Sequence, residues 1–159
     1  MRVLYLIQHG EAKPEHEDPA RPLTDKGRAD VEATAALLAR LDVKVDKIMH
    51  SGKTRASQTA EIMASYLKPS KGVEEFPEIS PLDDPRRVLP RIEEGNNLML
   101  CGHLPHLSRL TSLLITGDPE GEVVRFRMGG AVCLVEEGGR WLVSWVITPE
   151  QASKLLKQL

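Results

Sequence analysis

Val3-Leu4-Tyr5-Leu6-Ile7, followed at once by Gln8-His9-Gly10, is the stretch on which the fold turns. Five apolar residues in a row, closed by a polar residue and a glycine, read as a strand buried on both faces. Strands of that kind belong to parallel sheets covered by helices on each side. The same run is too short for the apolar part of a signal peptide, and nothing else in the chain approaches a membrane span.

Working outward, strand and helix signals alternate. Glu11 to Pro22, with four acids and three prolines, has loop composition. Thr24 offers an N-cap to a helix in which Val31, Ala35, Leu38 and Leu41 share a face. Lys47-Ile48-Met49 is a short strand running into His50-Ser51-Gly52. A second helix spans Lys53 to Leu67, with Ala56, Ala60, Met63 and Leu67 on one stripe. Pro69 to Gly72 breaks it, Val73 to Phe76 is weakly extended, Pro77 to Pro85 is a loop, and Arg86 to Glu94 reads as helix. Asn97 to Cys101 is a third good strand, terminated by Gly102-His103. Pro105 suits the first turn of a helix that carries Leu107, Leu110 and Leu114 on one face and ends near Gly117. Two or three late strands come next, Val123–Arg127, Ala131–Val135 and Trp141–Ile147, the last two joined at Gly138-Gly139. A short C-terminal helix closes the chain. The expected fold is a three-layer α/β/α sandwich with a mostly parallel central sheet and antiparallel edge strands, residues 1–159 forming one domain without a large cap insertion.

Composition narrows the function classes. The 159 residues include 23 acidic and 21 Lys or Arg side chains, a formal net charge of −2, and only 4% aromatics. That balance argues against a nucleic-acid protein, which concentrates a basic surplus, and two each of Trp, Tyr and Phe make a poor base-stacking platform. Cys101 and Cys133 lie far apart inside apolar runs and read as buried free thiols, which suits a reducing, cytoplasmic setting.

Ligands of open parallel sheets sit at the carboxyl ends of the strands, so the residues just past each strand decide the site. Here those residues are His9, then His50 with Ser51 and Arg55, then His103. Gly10 and Gly102 beside two of them would let backbone approach a ligand closely. Lys53 and Arg55 fall at the start of a helix, where the macrodipole disfavours cations unless an anion is near. Imidazoles, a guanidinium and helix amides converging on one point make a receptor for phosphate, sulfate or carboxylate. The His103/His106 spacing does not make a metal site, since Pro105 intervenes and no Cys or acidic ligand is adjacent.

Taken together these residues resemble the histidine phosphatase superfamily, and within it the small SixA-type phosphohistidine phosphatases. Gln8-His9-Gly10 with Glu11 is similar to the family's Arg-His-Gly motif after the first strand. Arg21-Pro22-Leu23-Thr24 with Gly27 resembles its Leu-Thr-x-x-Gly helix start. Ser51, Arg55-Ala56 and Gln58-Thr59 resemble its Ser-x-x-x-Arg-Ala-x-Gln-Thr stretch. Glu78, Pro81 and Asp83 or Asp84 resemble a Glu-x-x-Pro segment, and Gly102-His103-Leu104-Pro105 resembles the second histidine motif. The short length favours the SixA type over the phosphoglycerate mutases and acid phosphatases of the superfamily.

The resemblance implies that His9 is a nucleophile, transiently phosphorylated, with Arg55 and His103 holding phosphoryl oxygens. Gln8, Gly10, Arg21 and Ser51 are the substrate-binding candidates, and Glu78 or Glu11 the candidate general acid. No metal or other cofactor is called for. The implied partner is a phosphorylated protein, such as a histidine phosphotransfer domain, or a small phosphorylated molecule.

The chain departs from the pattern at Gln8, where the family has Arg. The change removes a permanent charge and a bidentate fork. Losing one charge-assisted contact to a phosphoryl transition state costs on the order of 2–4 kcal/mol, about two to three decades in rate. Two readings therefore stand: a metal-independent phosphatase, or a catalytically weakened module that binds phosphate or phosphoprotein.

Overall fold

β1 (Arg2–Gln8) lies inside the sheet, between a parallel neighbour, β4 (Leu98–Gly102), and an antiparallel one, β5 (Ala131–Glu137). The computed structural model describes residues 1–159. Its other elements are α1 (Asp25–Arg40), β2 (Lys47–His50), α2 (Thr54–Leu67), β3 (Val73–Glu75), α3 (Leu89–Glu94), α4 (His106–Thr116), β6 (Arg140–Ile147) and α5 (Pro149–Leu156). The six strands run in the order β3-β2-β4-β1-β5-β6, the first four parallel, β5 antiparallel to β1 and β6 antiparallel to β5.

Both faces of β1 are dry. Tyr5 and Ile7 pack with Val31 and Ala35 of α1 and Ala60 and Met63 of α2, while Leu4 and Leu6 pack with Leu107 and Leu110 of α4 and Val88 and Ile92 near α3. Each fully buried Leu or Ile of this strand contributes about 1.5–3 kcal/mol of transfer free energy. The expected sandwich is thus present, with α1 and α2 on one face and α3 and α4 on the other. α5 packs against α1, its start fixed by a reciprocal capping box between Thr148 and Gln151. Thr24 caps α1 as expected, accepting the Gly27 amide hydrogen.

Three local expectations are corrected. Val123–Arg127 forms no strand. Of this segment only Phe126 is buried, and Val123 is exposed, so the alternation does not describe a sheet face. Its continuation instead caps β1, the Gly129 amide donating to the Gln8 carbonyl at 2.9 Å. The helix expected over Arg86–Glu94 is divided: a 3-10 turn over Pro85–Val88, begun by Asp84 accepting from the Arg86 amide, precedes α3. Pro90 lacks the N–H that a continuous helix would need to reach Arg86. Pro105 stands at the N-cap of α4 and not within its first turn.

The outer hairpin carries a feature that period-2 reading misses. Gly138 and Gly139 both have positive φ, +57° and +77°, which permits the tight turn between β5 and β6. Beyond it Leu134 faces Val143 while Cys133 faces Trp145, leaving Ser144 as the extra residue of a bulge. Trp141, Trp145 and Ile147 would share one face of a regular strand. With the bulge, Trp141 packs on the α3–α4 layer and Trp145 and Ile147 pack on the α1–α2 layer.

Candidate active site

The β1–β4 ladder continues one residue past its named ends, the His9 amide donating to the Gly102 carbonyl at 3.0 Å. That bond sets the two post-strand histidines side by side, with ring centroids 5.1 Å apart. His9 Nδ1 lies 2.7 Å from the Gly10 carbonyl oxygen. A carbonyl only accepts, so Nδ1 carries the hydrogen and a neutral ring keeps its lone pair on Nε2. Burial lowers the His9 pKa to about 4, the Gly10 bond opposing this and the charges of Arg55 and Arg21 adding to it. At neutral pH His9 is a neutral base with one committed and one free nitrogen.

His103 is buried, and its Nε2 lies 2.7 Å from Ser51 Oγ in the turn after β2. The Lys53 amide donates to the same Ser51 oxygen at 3.3 Å. With that donor in place, the serine oxygen still has its own hydrogen to give to Nε2, and in that arrangement neutral His103 carries its hydrogen on Nδ1. This Nδ1 is buried without a partner in the protein. In that arrangement it is a donor facing no acceptor. Burial, then the charges of His9, Arg55, Lys53 and His106, hold the His103 pKa down at about 3.

Arg55 sits in the first turn of α2, and its Nε is buried and unpartnered. Burial and the charge of Arg21 lower its pKa, yet a guanidinium stays charged. Arg21 is held across the Glu11–Pro22 loop by a bond from its Nε to the Lys13 carbonyl at 3.1 Å. No ion pair of the molecule includes Lys13, Arg21, Lys53 or Arg55. Cations gathered beside two imidazoles, none of them in an ion pair, make surroundings suited to an anion.

The residues between these groups fix them in place. The Gly10 amide donates to Thr59 Oγ1 at 3.1 Å, and Thr59 in turn donates to the Arg55 carbonyl at 2.8 Å. Thr59 therefore ties the His9 loop to the helix bearing the guanidinium, and Gln58 accepts the Leu23 amide at 2.8 Å. The sequence motif named both residues but no role for either. Gly10 and Gly102 serve packing: a Cβ on Gly10 would meet the Gly27 carbonyl at 2.8 Å, and one on Gly102 would meet Leu107 at 3.2 Å. Both polar backbone groups of Gly10 are spent inside the protein. Gln8 presents a neutral amide whose Oε1 is buried without a partner.

Other candidates lie apart from this cluster's bonds. Glu11 accepts the Thr24 hydroxyl at 3.0 Å, and Glu78 is half-exposed, 3.9 Å from Arg87. His50 accepts the Gly52 amide at 3.0 Å and braces the turn. His106 is fully buried, with neither ring nitrogen partnered.

Known proteins resemble this chain in sequence and in fold. The profile of the Histidine phosphatase superfamily (branch 1) matches residues 4–81. Phosphohistidine phosphatase SixA of Escherichia coli is 24% identical over 152 residues, covering 92% of this chain and 93% of that protein. An uncharacterised protein of Picosynechococcus is 31% identical over 140 residues, covering 82% and 83%. The structure of the protein histidine phosphatase SixA complexed with tungstate superposes with a TM-score of 0.81 at 23% identity, covering 92% of this chain and 97% of the other. No helix is long and apolar enough to cross a membrane. With the histidine pair at the carboxyl ends of β1 and β4, the profile match and the shared fold, the chain belongs to the histidine phosphatase superfamily.

Proposed function

We propose that the protein is a metal-independent phosphatase acting on phosphohistidine in proteins, with His9 as the nucleophile. One observation carries the reading: the Gly10 carbonyl holds the hydrogen of His9 on Nδ1 at 2.7 Å, leaving Nε2 free beside Arg55 and His103. In the first step the Nε2 lone pair forms a bond to phosphorus and the bond from phosphorus to the leaving nitrogen breaks. That nitrogen keeps the electron pair and takes a proton. In the second, a water oxygen bonds to phosphorus, the Nε2–P bond breaks, and phosphate leaves with the water's proton passed to solvent. Arg55 and the Nδ1–H of His103 stabilise charge on the equatorial oxygens, with Arg21 adding field from the loop and Gln8 donating through its amide. Ser51 holds the tautomer of His103, and Gly10 that of His9.

A phosphoramidate makes a small demand for general acid, because its imidazole nitrogen leaves readily. Neither Glu11, bonded to Thr24, nor Glu78, beside Arg87, is needed for that step. The tungstate bound by the related SixA is an oxyanion of the kind this cationic recess suits. Without a recognisable cap insertion the site is open enough for a protein surface, a histidine phosphotransfer domain being one such partner.

Gln8 supports a second reading, a module that binds phosphate or phosphoprotein and turns it over slowly. Its neutral amide stands where the family pattern has a guanidinium. Acid-stable linkages survive acid quench but a phosphoramidate does not, so quenching in alkali after mixing with a 32P-labelled phosphohistidine protein tests both. The expected result is label on His9 in wild type, lost in His9→Ala, with release of inorganic phosphate. Binding of the phosphoprotein with no label on His9 would favour the second reading. Release from a panel of sugar and nucleotide phosphates, and none from phosphohistidine, would move the substrate to small phosphomonoesters.

A further inference from the structure

A second recess adjoins the histidine pair. Lys53, Arg55, Ser80, Pro81, Leu82 and Asp83 line an open cleft of about 380 Å³. Arg55 belongs to both places, since its charge acts on His9 and His103, and the charge of Lys53 also reaches His103. Lys53 is the N-cap residue of α2, whose first turn holds no acid, and its side chain makes no capping bond. The macrodipole opposes a cation there, and no carboxylate of the chain compensates it. The one acid of the cleft is already engaged: Asp83 Oδ2 accepts the Ser80 amide at 2.9 Å, and Oδ1 lies 3.9 Å from Arg87. The uncommitted charge of the cleft is therefore positive. Pro81 and Leu82 supply an apolar wall, Leu82 being 84% exposed with nothing in the chain covering it.

We propose that this cleft receives the group to which the substrate's phosphoryl is attached, and that Lys53 selects substrates in which that group bears a second anion. The carbon skeleton between the two anions lies on Pro81 and Leu82. This inference rests on the phosphatase reading above and gives it a substrate class. The second anion is a carboxylate or phosphate, carried either by a small molecule or by an acidic side chain beside phosphohistidine in a protein.

The test compares phosphoramidates with one leaving nitrogen and different second charges: phosphoimidazole, Nα-acetyl-phosphohistidine with a free carboxylate, and the same compound as its neutral methylamide. A screened ion pair is worth up to about 1 kcal/mol, so wild type should favour the carboxylate over the methylamide by about fivefold in kcat/KM, through KM, and less at high salt. Lys53→Met should bring that ratio near one and Lys53→Arg should keep it. Phosphohistidine peptides with Glu or Gln beside the modified residue separate the sources. Preference for Glu assigns the anion to a protein, and preference confined to the free carboxylate assigns it to a small molecule. Equal use of carboxylate and methylamide by wild type overturns the proposal. So does an equal loss on every substrate in Lys53→Met, which would place the lysine on the transferred phosphoryl. Turnover of phosphoimidazole without carboxylate preference leaves the phosphatase reading standing; no turnover of any member overturns both.

Discussion

Two side chains at the site invite single substitutions with opposite outcomes. Gln8 ends β1 with a buried, unpartnered amide oxygen, one residue before His9. Gln8→Arg restores a charged fork to a recess whose other groups are in place, so kcat/KM on phosphoimidazole should rise about tenfold or more. An unchanged or lower rate would mean that the pocket is built around the amide. Ser51→Ala acts the other way. It removes the hydroxyl bonded to His103 Nε2 and leaves that nitrogen without its partner. The expected loss in kcat is about 10- to 100-fold, and Ser51→Thr should recover much of it; equal rates in Ser51→Ala and wild type would remove the serine from the mechanism.

Among the elements, Thr59 is the joint on which the site's alignment depends. Its hydroxyl accepts from Gly10 and donates to the Arg55 carbonyl, linking the loop after β1 to α2. Thr59→Val keeps the shape and orphans the buried Gly10 amide, at a cost of about 1–3 kcal/mol in urea unfolding, with a further drop in kcat as His9 loses its fixed neighbour. Thr59→Ser, which keeps the hydroxyl, should restore kcat. None of this is visible in the sequence beyond the letters Gln58-Thr59 in a motif. Legible there are elements whose burial is continuous or whose caps are local: β1 from five apolar residues, α1 from Thr24 and its stripe, and the three strand ends that gather His9, Ser51 and His103. Features that depend on distant partners are not. Val123–Arg127 reads as a strand because Val124 and Phe126 alternate with polar residues, but the backbone just beyond it bonds to the end of β1. The Ser51–His103 bond joins residues 52 positions apart, beyond any periodic signal.

At the scale of the whole molecule, acid should be the sensitive axis. His9 and His106 are held at about 4 and His103 at about 3, all by burial first, against an ordinary histidine value of 6.5. Each takes up a proton on unfolding in mildly acidic solution. The stability they contribute is complete above pH 6.5 and drains away as pH falls toward their folded values. Glu74, held at about 2 chiefly by its bonds to Arg91 and Lys47, loses its contribution in the same direction but further down, below its ordinary 4.5. Thermal melts from pH 7.5 to 4.5 should therefore show a steep fall beginning near pH 6.5. His106→Leu, outside the bonded cluster of the site, should flatten that fall; a slope equal to wild type would show that His106 does not supply it. Added inorganic phosphate should raise the midpoint at every pH where it binds, by mass action on the folded form. The −2 net charge gives no hint of such a site, because its cations are offset by acids elsewhere on the surface. The bulge at Ser144 has a consequence of another kind, for how this sequence can drift. The outermost strand of a sheet ordinarily tolerates gain or loss of residues, and here the bulge supplies the slack: removing Ser144 would restore strict alternation with Val143 still opposite Leu134 and with Trp145 and Ile147 still on the layer they fill. Among descendants of this chain, the residue at that place can be changed or given up, whereas a loss between Trp145 and Ile147 would turn one of them off that layer.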